Sequence, residues 1–92
     1  DALPISQAIA EKISKIALNS QVLCITHLPQ VAAVADYQYF IEKAIQEGRT
    51  ETRVRQLSYE ERVTEIARML SGAEITELTV EHARELLALA HQ

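Results

Sequence analysis

One histidine stands where an apolar run stops. Val22-Leu23-Cys24-Ile25 gives way to Thr26-His27-Leu28-Pro29, so an imidazole follows directly on a segment without a charge. An imidazole can donate to phosphate oxygen, hold a water or transfer a proton. Other groupings carry less chemistry. Cys24 and His27 lie three positions apart, which on a strand points them to opposite faces and out of nucleophile–base reach. Zinc needs about four ligands, and one cysteine with three scattered histidines does not supply them. Cys24 therefore reads as a small buried hydrophobe, and His82 and His91 as solvated residues in or beyond the last helix. Glu60, Glu61 and Glu65 fall in the first turns of a helix, where the macrodipole stabilises negative charge, and are not a catalytic carboxylate pair.

The elements that must position His27 follow from hydrophobic periodicity. Val22 to Ile25 is apolar without alternation, which predicts a strand covered on both faces, as in a parallel sheet flanked by helices. His27 then occupies the carboxyl end of that strand, the edge where open α/β sheets bind ligands. Pro29 starts a short helix through Gln30, Val31 and Val34. Thr26 satisfies backbone groups at the strand end. Ahead of the strand, Ile9, Ile13 and Ile16 form one side of an amphipathic helix over about Gln7 to Leu18, with Glu11, Lys12 and Lys15 on the other. A helix feeding a doubly covered strand is the second half of a βαβ unit whose first strand is absent.

Downstream, Tyr37 to Ile41 and Thr50 to Leu57 predict a hairpin turning at Gly48. Arg49, Arg53 and Arg55 along it read as edge-strand charges that discourage aggregation, ahead of any phosphate-binding role. Ser58 and Glu61 form a capping box. The helix behind it buries Val63, Ile66, Ala67 and Leu70 and stops at Ser71-Gly72. A last helix, from about Thr79 to Ala90, turns Val80, Ala83, Leu86, Leu87 and Ala90 to one side. The fold class is α/β: helix, buried strand, short helix, edge β-hairpin, two carboxyl-terminal helices.

Thr26-His27-Leu28-Pro29-Gln30-Val31-Ala32, preceded by the apolar run and followed by Tyr39-Phe40-Ile41-Glu42-Lys43 and Glu65-Ile66-Ala67-Arg68-Met69-Leu70-Ser71-Gly72, resembles the RecN family. These are bacterial recombination and repair ATPases, relatives of the SMC proteins among the ABC-type ATPases. The resemblance covers nearly all of the chain and implies the carboxyl-terminal part of an ATPase head. It implies that His27 is the switch histidine facing the γ-phosphate of ATP between two heads, a sensor and stabiliser rather than a general base. Gln30 is then either close to nucleotide or an ordinary first-turn residue. ATP and Mg²⁺ are the implied cofactors. A second head, in a homodimer, and DNA engaged by the assembled protein are the implied partners, with a cytoplasmic, nucleoid-associated location.

Several features bound this reading. Ninety-two residues make one small domain, and 48% apolar with 24% charged residues is a globular composition without a membrane-length apolar run. The net charge of −4 does not favour phosphate-backbone binding by this piece. The sequence holds no Gly-x-x-x-x-Gly-Lys-Ser/Thr loop and no apolar strand ending in Asp-Glu for Mg²⁺. The expectation is therefore a fragment, inactive alone, whose phosphate-binding parts precede it. Asp1-Ala2-Leu3-Pro4-Ile5 matches the translation of a common sequencing-adapter end, so residues 1–5 are expected to be an artefact and 6–92 the head portion. The competing reading is a free-standing α+β interaction module with His27 merely exposed.

Overall fold

The computed structural model describes residues 4–92. Part of the five-residue amino-terminal expectation, residues 1–3, lies outside them. Six elements follow in order: α1 (Ile5–Ile16), α2 (Pro29–Val34), β1 (Tyr39–Gln46), β2 (Arg49–Gln56), α3 (Tyr59–Ser71) and α4 (Glu77–Ala90). The mixed helix-and-sheet architecture agrees with the carboxyl-terminal portion of an ATPase head.

Helix boundaries follow local chemistry. Ser58 Oγ accepts from the Glu61 amide at 3.2 Å while the Ser58 amide donates to the Glu61 carboxylate at 3.0 Å, so the expected capping box opens α3. Thr76 and Thr79 make the equivalent pair at the start of α4, with Thr76 as N-cap and Glu77 as the first helical residue. Gly72 ends α3 at φ 77°, a left-handed conformation that costs glycine little, and its amide donates to the Arg68 carbonyl at 2.9 Å.

The core is small and lies between helices. Ala32 and Ala33 of α2, Val63, Ile66 and Ala67 of α3, and Ala83 and Leu87 of α4 form one buried cluster, flanked by Met69, Leu70, Val80, Leu86 and Ala90. Alanines on three helices let the backbones approach closely, and Ile66 and Val63 supply the largest fully buried side chains. α1 reaches this core only through α2. Its Ala10 is fully buried, whereas Ile9 and Ile16 remain 41% and 51% exposed, leaving much of its apolar side uncovered.

β1 and β2 pair antiparallel in register from Tyr39↔Gln56 to Gln46↔Arg49, closed by the two-residue turn Glu47-Gly48 with φ of 53° and 75°. Ile41 and Val54 face each other across the ladder and both are exposed.

One expected element takes a different form. Residues 21–28 form neither helix nor strand and belong to no ladder, and the sheet among the described residues has only β1 and β2. Leu23 is 87% and Ile25 94% exposed, so Val22–Ile25 is not a buried strand here, and Cys24 is an exposed free thiol rather than a buried hydrophobe. The physical reason is that a strand is made by its neighbours. An apolar run covered on both faces needs ladder partners on both edges, and no described segment supplies them.

Candidate functional site

The residues around His27 form a closed turn. Thr26 Oγ1 accepts from the Leu28 amide at 3.0 Å, bridging the histidine. The Leu28 carbonyl in turn accepts from the amides of Val31 and Ala32 at 3.1 and 3.0 Å, which makes Leu28 the N-cap of α2. Pro29 at the first helical position fixes φ and gives up an amide that would have had no helical partner. His27 is therefore one residue away from a helix and its neighbours on both sides are hydrogen-bonded, while its own side chain is exposed. Thr26 and Gln30 are half-buried on either side. Thr26 and His27 thus lie just ahead of the N-cap, and Gln30 lies in the first turn of α2.

At the far end of α2 lies a second polar cluster that the sequence reading did not single out. Arg62, on α3, is only 9% exposed. Its Nη2 donates to the carbonyls of Ala32 at 3.1 Å and Ala35 at 2.8 Å, and its Nε donates to Gln38 Oε1 at 3.2 Å. Burial lowers the pKa of this guanidinium, and the nearby Asp36 and Tyr59 oppose that shift. His91, just past α4, places Nε2 2.8 Å from the Ala33 carbonyl. This corrects the expectation for His91, because its ring is tied to α2 although the residue as a whole is exposed; His82 is exposed. Asp36, Tyr59, Arg62, Leu87, Ala88 and His91 line an open cleft of about 420 Å³.

A signal for both residues was present. Arg62 stands one turn before Ile66, and His91 one turn after Leu87, so each extends the buried stripe of its helix. A polar residue on such a stripe calls for a buried partner.

Several other charges form ion pairs. Arg84 binds Glu60 through two nitrogens at 2.8 and 2.7 Å. Arg55 reaches the Glu61 carboxylate, joining the hairpin to α3, and Arg68 caps Glu65 along α3. Hydrogen bonding by Arg84 holds the Glu60 carboxyl below its ordinary range; the Ser58 amide, then Arg55, do the same for Glu61. Among the described residues no three His, Cys, Asp or Glu side chains gather to hold a metal, and no helix is long and apolar enough to cross a membrane. The turn thus leaves the His27 side chain exposed beside a hydrogen-bonded backbone.

Comparison with known proteins places this sequence in a family. No family model matches the chain. The protein named DNA repair protein RecN from Bacillus subtilis is 59% identical over 88 residues, 96% of this chain and 15% of that relative. Its namesake from Halalkalibacterium halodurans is 62% identical over 86 residues, 94% of the chain and 15% of the relative. The chain belongs to the RecN family. The RecN of Deinococcus radiodurans is 53% identical over 81 residues, 88% of the chain and 14% of the relative. The matched part is the carboxyl-terminal portion of these RecN proteins, and the chain spans about 15% of the length of the first two.

Proposed function

We propose that this chain acts in DNA repair as the carboxyl-terminal part of a RecN-type ATPase head, with His27 contacting the γ-phosphate of ATP. The observation that carries this reading is the exposed His27 on a turn fixed by the Thr26–Leu28 hydrogen bond and the N-cap of α2. The backbone on such a mount is already ordered, so only the side-chain torsions of the imidazole remain to be fixed when it meets a ligand, which suits a group that must stabilise charge appearing on phosphate oxygens. Bound Mg²⁺-ATP would supply the transferable γ-phosphoryl group and its charge neutralisation. His27 would donate an imidazole N–H to a γ-phosphate oxygen or orient the attacking water, and the half-buried Gln30 lies three residues further on, in the first turn of α2.

The exposed Leu23–Ile25 run supports the same reading. In a longer RecN-type chain these side chains would be covered by preceding strands, and the phosphate loop and Mg²⁺ carboxylates would come from that preceding part. A second head would close over the nucleotide, and DNA would engage the assembled protein. The present residues alone would turn over no ATP and, with a net charge of −4, would bind DNA weakly.

Chemical footprinting tests the contact. In a full-length protein carrying this segment, for example the Bacillus subtilis relative with this chain in place of its matching part, His27 should be carbethoxylated readily without nucleotide. A non-hydrolysable ATP analogue should protect it and ADP should not. Equal labelling with the two nucleotides would remove the γ-phosphate role.

A further inference from the structure

We propose that Arg62 and His91 are positioning residues for His27, clamping the far end of the helix that carries it. This inference rests on the reading of His27 as the γ-phosphate contact.

α2 has only six residues, too few to persist without tertiary support. Its packed side consists of Val31, Ala32 and Ala33. Small side chains set how closely α2 approaches α3 and α4, but they offer little relief to stop it sliding or turning. Directional bonds supply what shape does not. One nitrogen of Arg62 bridges the carbonyls of Ala32 and Ala35, its Nε holds the Gln38 side chain ahead of β1, and His91 engages the Ala33 carbonyl from α4. Three consecutive features of the chain, the end of α2, the link after it and the approach to β1, are thereby referred to α3 and α4. A cation at the carboxyl end of a helix is also favoured by the exposed carbonyl dipoles.

The clamp reaches His27 because the path between them has no free joint. α2 is one rigid turn and a half, Leu28 is bonded at both its amide and its carbonyl, and His27 comes next. A shift of α2 therefore moves the imidazole with it. Displacement of a reacting contact by about 1 Å can cost ~10²-fold in rate.

The test uses the full-length protein with Arg62→Lys, which keeps the charge but not the planar fork, Arg62→Ala and His91→Ala, each alone and combined with His27→Ala. Two quantities are read: amide exchange at Val31 and Ala32 without nucleotide, and kcat with KM for ATP. Faster exchange at these amides, a kcat reduced up to ~10²-fold at nearly unchanged KM, and no further loss in the His27→Ala background are expected. If Arg62→Ala fails to fold, His91→Ala, at an exposed helix end, decides. Unchanged exchange and kcat in the folded clamp variants would overturn the proposal while leaving His27 in its role. Equal fold-losses with and without His27 would also overturn it, showing general scaffolding. Full turnover in His27→Ala alone would remove the underlying reading and the clamp's purpose together.

Discussion

The Arg84 guanidinium lies bidentate on the Glu60 carboxylate, at 2.7 and 2.8 Å, and so fastens α4 to the first turn of α3. The pair is exposed, with side chains 46% and 67% accessible, and salt will screen it. Its signature is in acid. Arg84 lowers the folded-state pKa of Glu60 from 4.5, so the pair's contribution is present above that value and is lost as pH falls through the depressed folded value. Thermal midpoints followed downward from pH 5 should fall more steeply in the parent than in Arg84→Gln, and added salt should narrow the gap. Identical profiles would show that the pair contributes nothing.

The Ser58–Glu61 box gives a second outcome. Ser58→Ala removes the acceptor of the Glu61 amide and should cost about 1 kcal/mol by denaturant titration, whereas Ser58→Asp should retain most of the cap.

Ile66 is fully buried where α2, α3 and α4 meet, among alanines that cannot move to fill a void. Ile66→Ala should cost ~2–5 kcal/mol and Ile66→Val ~0.5–1.5 kcal/mol. In a core this small the first change should abolish cooperative unfolding of the isolated chain, as read by calorimetry.

Much of the fold was legible in the sequence, for local reasons. The capping box, the Gly72 stop, the Pro29 start and the turn at Gly48 are each encoded within a few residues, and the structure shows all four. The Val22–Ile25 run was legible as buried by its composition, yet burial is a relation between segments, and the described residues contain no partner for it. Of the site, the His27 turn could be read from its polar break after an apolar run. The stripe positions of Arg62 and His91 mark each as a polar group that needs a partner, but the partners are carbonyls 27 to 58 residues away in the chain, which periodicity does not identify.

That uncovered run has a solution consequence. With Leu23 and Ile25 almost wholly exposed beside unpaired backbone, the isolated chain should self-associate and bind apolar dyes. Replacing both residues with serine should shift it towards monomer in sedimentation. A parent chain that is monomeric at all concentrations, with no dye binding, would contradict this expectation.

The central claim is that His27 acts on the γ-phosphate and carries no load in the fold. His27→Ala in the full-length protein should leave the thermal midpoint nearly unchanged, since loss of an exposed side chain costs within about 0.5 kcal/mol. With saturating Mg²⁺-ATP and dimer formation confirmed, kcat should fall by ~10²-fold or more while ATP affinity stays close to the parent's, as expected when a donor aimed at developing charge is removed. Equal kcat in variant and parent under those conditions would contradict the account.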